Sequence, residues 1–309
     1  MALLNLLTAP RLARRCFRPL MASSPSRSLS SLVSTQWLQD NLGSVVVLDG
    51  SWHMPALKRN AFEEYLAQHV PGARFFDIDR IADQATNLPH MLPSTKQFEE
   101  QVGQLGISND DHIVVYDFNG VVSACRVYWT FKVFGHQKVS VLDGGIPKWI
   151  NEQRPVESGT VDGFSKTNFQ AVFHPQLVRD YSQITQISAT KAEQIVDARS
   201  LGRFQGSDPE PRVGLSSGHM PNSVCVPFNE LYDPASKTLL PADKLRELYR
   251  TKGVNLSLPI VNSCGSGITA AVNYVAQEQA GAEQISVYDG SWTEYASKPT
   301  SIIEDCGPR

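Results

Sequence analysis

The chain has 309 residues, 41% of them hydrophobic, with 28 Lys and Arg against 31 Asp and Glu and a net charge of -3. That length supports two cores of ordinary size. The near-neutral balance, with no basic stripe, gives no electrostatic case for nucleic acid, and no apolar run approaches the roughly 18 residues of a membrane span.

Residues 1–30 differ in kind from the rest. Arg11, Arg14, Arg15, Arg18 and Arg27 stand among Leu, Ala and Ser, and no acidic residue precedes Asp40. An Arg-rich, Ser-rich, acid-poor start reads as a mitochondrial transit peptide, to be set aside in fold reasoning; an idle disordered tail is the alternative. Met21 offers a second start lacking most of these arginines, hence a possible cytosolic form.

From Leu42 onward a pattern appears and then repeats. Val45-Val-Val-Leu-Asp49 is echoed by Gln194-Ile-Val-Asp197, His69-Val-Pro-Gly-Ala73 by His219-Met-Pro-Asn-Ser223, and His112-Ile-Val-Val-Tyr-Asp117 by Pro259-Ile-Val-Asn-Ser-Cys264. The fourth pair is Val139-Ser-Val-Leu-Asp143-Gly-Gly145 and Ile285-Ser-Val-Tyr-Asp289-Gly-Ser291. Four anchors in one order at near-constant offset mark a duplicated unit. Within each copy, short β-branched runs alternate with helical patterns over 95–105, 124–134 and 242–252. This predicts α/β units, each a mainly parallel sheet with helices on both faces. The expected division is a leader over 1–30, a first domain over 31–155, a linker over 156–186 and a second domain over 187–309. The connecting stretch is rich in Pro, Gly and polar residues, with one strand-like patch, Phe169-Gln-Ala-Val-Phe173. An irregular insertion, Gly202-Arg-Phe-Gln-Gly-Ser-Asp-Pro-Glu-Pro-Arg212, precedes His219.

The most informative stretch is Leu258-Pro-Ile-Val-Asn-Ser-Cys264-Gly-Ser-Gly-Ile-Thr-Ala-Ala271. Ile260 and Val261 suit a buried strand and the run after Ala270 suits a helix, so Cys264 falls at a strand-to-helix turn. Unpaired N–H groups at a helix start favour an anion and can lower a cysteine pKa from about 8.5 to roughly 3.5–7.5. Gly265 and Gly267 let the backbone curl around one sulfur. The competing reading is a small apolar plug, since free cysteine is often buried. Cys16, Cys125, Cys225, Cys264 and Cys306 form no Cys-x-x-Cys pair, which argues against a structural metal site and a disulfide framework. Cys306 lies near the end of the chain, where an intermolecular disulfide or no role at all are both open.

With the duplication, the Asp197-Ala-Arg199 strand end and the Cys264-Gly-Ser-Gly-Ile-Thr-Ala270 loop in view, the chain resembles the two-domain rhodanese superfamily, and within it the mercaptopyruvate sulfurtransferase branch. The pattern Gly202-Arg-Phe204…Pro209-Glu-Pro-Arg212…Gly218-His-Met-Pro221 carries the same resemblance, which runs from about Leu32 to Tyr295. It implies two tandem rhodanese-like domains, with Cys264 as nucleophile and Arg203 and Arg212 as carboxylate-binding arginines. Gly265, Ser266, Gly267, Ile268 and Thr269 form the binding loop, and His69 and Tyr116 face the site from the first domain. It also implies transfer of the sulfur of 3-mercaptopyruvate through a Cys264 persulfide to thioredoxin, small thiols or cyanide, with no metal or organic cofactor. Two roles are open to Ser266, proton relay or helix capping, and two to His69, catalysis or a turn ahead of Pro71. Asp117 occupies the position of Cys264 in the first copy, where a carboxylate cannot carry sulfur, so that domain is expected to wall the cleft, and Cys125 to pack.

Three rivals are weighed. A Cys-x5-Arg phosphatase needs an arginine at 270, where alanine stands. A thiosulfate-specific rhodanese shares the chemistry but carries basic residues in its loop. A catalytically silent redox or partner-binding scaffold has no use for the reactive loop.

Overall fold

The computed structural model describes residues 30–161 and 163–305. The expected transit peptide, the Met21 start, Cys16 and Cys306 lie outside the described residues.

The first half contributes β1 (Leu32–Val33), α1 (Thr35–Asn41), β2 (Val46–Asp49), α2 (Ala61–Ala67), β3 (Arg74–Phe75), α3 (Thr95–Gln104), β4 (Ile113–Tyr116), α4 (Ser123–Val133), β5 (Val139–Leu142) and α5 (Gly145–Asn151). The second contributes β6 (Val178–Arg179), α6 (Tyr181–Thr190), β7 (Gln194–Asp197), α7 (Leu201–Gln205), β8 (Ser223–Cys225), α8 (Ala242–Thr251), β9 (Ile260–Ser263), α9 (Ala270–Ala280), β10 (Ile285–Tyr288) and α10 (Ser291–Tyr295). The sheets run β1-β5-β4-β2-β3 and β6-β10-β9-β7-β8, the same order in each copy and parallel at every pairing. The duplicated α/β architecture read from the sequence is therefore present. β4 and β9 are central and wholly buried, as expected of parallel strands covered on both faces.

One apolar core runs through both halves: Val127 and Phe131 of α4 share it with Ala271 and Val275 of α9. Smaller cores lie on the far face of each sheet, around Leu38 and Trp149 in one and Ile184 and Trp292 in the other. A helix buried on all sides has no polar face to show, and ten of the eleven α4 residues are buried accordingly. Polar clasps fix the two halves reciprocally. Asp143 Oδ1 accepts the Leu239 N–H at 2.9 Å and Asp289 Oδ2 accepts the Leu92 N–H at 2.8 Å. Arg126 of α4 adds a buried ion pair to Asp289 at 2.7 Å.

The connecting segment differs from expectation in two ways. Phe169–Phe173 forms no strand; it is an extended strap along helix ends. Thr167 donates to Gly103 O at 3.0 Å, Val172 to Phe134 O at 3.0 Å and His174 to Val133 O at 2.7 Å. The Val133 and Phe134 carbonyls end α4 and have no partner within the helix, which is why an extended chain settles there instead of on a sheet edge; Gly103 O is shared with the Gly106 N–H. The second unit also begins earlier than 187. β6 joins β10, and α6 opens on a capping box of Asp180 and Gln183. A two-residue strand carries no periodicity to read, so the linker was expected to run too far.

Asp49, at the C-terminal end of β2, is fully buried and accepts the Ser51 N–H at 2.9 Å. Its counterpart Asp197 pairs with Arg199, but Asp49 has no such cation, and burial pushes its carboxyl up to about 7. A folded-state pKa above the unfolded value means that the native protein holds the extra proton, so stability falls as pH rises from about 4 to 7. Asp49→Asn mimics the protonated form. Thermal melts at pH 5 and pH 8 are expected to differ less in this variant than in the parent; an unchanged difference would remove Asp49 as the source.

Candidate active site

The site is built where β9 ends. Ile260 and Val261 bury the strand between helices, and the chain then turns through Cys264–Thr269 into α9. The turn is pinned from behind by the start of α10. Cys264 donates its N–H to Ser291 Oγ at 3.2 Å, its carbonyl accepts the Trp292 N–H at 2.9 Å, and Gly265 O accepts the Thr293 N–H at 2.9 Å. With the backbone so held, the Gly267 N–H points at Cys264 Sγ, 3.1 Å away. Gly267 has φ +83°, and a Cβ there would come within 2.6 Å of Arg126 Nη1 and 3.0 Å of Asp289 O. Glycine is required on both counts. The N-cap residue of α9, Thr269, makes no side-chain capping bond; the N–H groups of Ala271 and Val272 turn back on Ile268 O and Thr269 O at 3.2 and 3.1 Å, and the sulfur is met by the Gly267 amide of the turn before the helix.

The first copy shows what this turn does with a permanent anion. The Asp117 carboxylate accepts four main-chain N–H groups, from Asn119 at 2.7 Å and from Gly120, Val122 and Ala124 at 2.8 Å each. Burial pushes this carboxyl up and the four amides pull it back. The same strand-turn-helix in the second copy therefore surrounds a sulfur with a cradle suited to negative charge.

Cys264 is 2% exposed and borders a cavity of about 390 Å³ between the two halves. Gly265, Ser266, Ile268 and Thr269 line it from the loop, and Arg203 and Arg212 from the insertion; Gly267 lies behind the sulfur and contributes its amide. Trp52, His53 and Asn119 close the cavity from the first half. His69 and Tyr116 are not brought to it. His69 Nδ1 donates to Tyr65 O at 2.8 Å, its ring stacks on Tyr65 at 4.4 Å, and its backbone bridges to Glu157. His219 repeats each contact with Phe204 and Glu304. Tyr116 is fully buried, with its hydroxyl accepting the Val70 N–H at 3.3 Å. Cys125 is buried in α4 and donates to Val121 O.

Arg203 and Arg212 stand in different electrostatic states. Arg203, on the short helix α7, is clasped by Glu210 through Nε at 3.0 Å and Nη2 at 2.5 Å. Glu210 is also held by Arg199, at 2.8 Å. Arg199, the last residue of the Asp197-Ala-Arg199 strand end, has a role that the sequence alone does not assign. It is fully buried on Asp197 at 2.6 Å, donates to Gly218 O at 2.7 Å and stacks 4.0 Å over Trp292. Asp197 and Glu210 thus balance Arg199 and Arg203, two charges against two. Arg212 makes no ion pair among the described residues. Burial pulls its guanidinium below its ordinary range, and the Cys264 sulfur leads the opposing influences. The signal for Arg199 was present in the sequence, since a charged residue two places beyond Asp197 falls on the same side of the same strand end. Glu210, between two prolines in an irregular loop, gave none.

Among the described residues, no cluster of His, Cys, Asp or Glu is arranged to hold a metal ion, and no helix is long and apolar enough to cross a membrane.

The model of the rhodanese-like domain matches residues 34–152 and 181–298. A relative from Arabidopsis thaliana, thiosulfate/3-mercaptopyruvate sulfurtransferase 1, mitochondrial, is 42% identical over 88% of this chain and 78% of its own. The 3-mercaptopyruvate sulfurtransferase of Mus musculus is 39% identical over 89% of this chain and 95% of its own. Among solved structures, SseA from Escherichia coli, described with the 3-mercaptopyruvate sulfotransferases, superposes with a TM-score of 0.78 at 34% identity, covering 85% of this chain and 99% of that one. The chain belongs to the rhodanese-like family, with two copies of the domain in tandem.

Proposed function

We propose that the protein is a sulfurtransferase that takes the sulfur of 3-mercaptopyruvate onto Cys264 and passes it to a thiol. The observation that carries this reading is a single cysteine sulfur at the wall of a cavity, met by a loop amide and flanked by an arginine without a carboxylate partner. The relatives' names support the same substrates, and the Arabidopsis relative's name supports a mitochondrial setting for a chain with this arginine-rich start.

In the first half-reaction Cys264 Sγ attacks the substrate sulfur. The new S–S bond forms as the C–S bond breaks, and the electron pair goes to carbon as the enolate of pyruvate. The proton carried by the substrate thiol ends on that carbon, giving pyruvate and leaving a persulfide anion. In this reading Ser266 relays it, supported by its position in the cavity lining with Cys264. Loop amides stabilise the charge as it moves to the outer sulfur. Arg212 grips the carboxylate, a charge-assisted contact suited to a planar guanidinium. Arg203, occupied by Glu210, positions the loop and offers its remaining N–H groups. In the second half-reaction an acceptor thiolate, from thioredoxin or a small thiol, or cyanide, attacks the outer sulfur and Cys264 is restored.

Incubation with mercaptopyruvate followed by intact-mass analysis is expected to show one added sulfur atom and one equivalent of pyruvate, both lost in Cys264→Ser. No added sulfur, or sulfur still added in that variant, would favour the silent-scaffold reading. The two arginines separate by a different experiment. Arg212→Gln is expected to raise KM for mercaptopyruvate by about tenfold or more with little change in Tm, whereas Arg203→Gln also lowers Tm, because it leaves Glu210 buried with one cation fewer. Equal effects on Tm would contradict the division of roles.

A further inference from the structure

Charge balance in the cavity leaves one cation without an assignment. Arg199 and Arg203 are matched by Asp197 and Glu210, and His53 is tied to Glu64 at 2.9 Å. Besides Arg212, the wall carries Lys237, whose ammonium makes no ion pair among the described residues and sits 6.0 Å from the ring centre of Tyr232, another wall residue. The nearest acid in sequence, Asp233, is exposed and directs Oδ1 to the N–H groups of Ala235 and Ser236; it feels the charge of Lys237 through solvent but forms no ion pair with it.

The position of Lys237 is built. Its N–H closes a turn onto Asp233 O at 2.8 Å, and its φ of +60° is left-handed. It presses on Gly120 of the Asp117 cradle so closely that a Cβ on that glycine would come within 2.6 Å of Lys237 Cβ and 2.9 Å of Lys237 O. The first domain thus fixes this lysine at the cavity wall of the second.

Two cations without an ion-pair partner among the described residues suit two negative charges. Mercaptopyruvate brings one carboxylate, which Arg212 meets. We propose that Lys237 is a specificity-determining residue that admits doubly charged sulfur donors of the thiosulfate class. The neutral Cys264-Gly-Ser-Gly loop supplies no cation for them. This inference rests on the sulfurtransferase reading. In the reaction, Cys264 Sγ attacks the outer sulfur of thiosulfate, the S–S bond of the donor breaks, and sulfite leaves with the electron pair. Three negative charges are gathered in the encounter, against two for mercaptopyruvate, so the loss of one cation weighs more on thiosulfate.

The test uses the full chain, with Lys237→Asn, since asparagine tolerates the left-handed backbone, and Lys237→Arg. For the asparagine variant, kcat/KM is expected to fall about thirtyfold for thiosulfate and about threefold for mercaptopyruvate, and its decline with added KCl for thiosulfate becomes shallower. The arginine variant is expected to restore most of the loss. Equal falls for both donors, no fall for thiosulfate, or no rescue by arginine would overturn the proposal. So would a parent protein that loads sulfur from mercaptopyruvate but not from thiosulfate. A parent protein that loads from neither donor would overturn the sulfurtransferase reading itself, which the mass measurement keeps distinct.

Discussion

A row of main-chain amides at the end of a central parallel strand is the interaction on which the rest of this molecule depends. A strand that stops and a helix that starts leave N–H groups with no internal partner, and whatever occupies the turn must accept them. The duplication places two different occupants in that position. Asp117 takes four amides at 2.7–2.8 Å and is sealed from solvent. Cys264 takes the Gly267 amide and borders a cavity. One copy fills its cradle with a carboxylate; in the proposed reaction the other holds a charge that arrives with the transferred sulfur.

The reciprocal clasps explain how the first copy contributes without a nucleophile. Arg126 leaves α4 of the first half, pairs with Asp289 and donates to Gly267 O at 3.3 Å. The residue that shapes the cradle is therefore held from the other domain. The four charges of Asp197, Glu210, Arg199 and Arg203 form a neutral scaffold beside the loop. A buried cation without a partner is costly, and a paired one is rigid. Such a scaffold orders the wall while its own charges are matched, and in the proposed reaction the substrate's charge falls to Arg212 and Lys237.

Much of this was legible in the residues. The repeat was visible because strand ends such as Asp143-Gly-Gly145 and Asp289-Gly-Ser291 must turn in the same way in both copies, and the Cys264 loop because only glycine fits position 267. What escaped was set by contacts remote in sequence or too short to have a period. Phe169–Phe173 has the apolar character of a strand, but its amides meet the Phe134 carbonyl and the side chains of Asn109 and Glu99, partners that no local pattern announces. β6 has two residues. His69 looked like a candidate for chemistry, yet its ring nitrogen answers the Tyr65 carbonyl one helical turn earlier, as that of His219 answers the Phe204 carbonyl. Lys237 drew no notice because a lysine in a turn is ordinarily a solvated charge; its place at the cavity follows from the bare backbone of Gly120, more than a hundred residues away.

The central claim, that loop amides rather than side-chain cations hold the transferred sulfur, is tested most directly by a crystal structure of the protein loaded from mercaptopyruvate. The account expects the outer sulfur of Cys264 to lie inside the turn, within hydrogen-bonding reach of several N–H groups between Ser266 and Ala271, much as the Asp117 carboxylate lies in its own. An outer sulfur turned away from the amides and held only by Arg212 would contradict it.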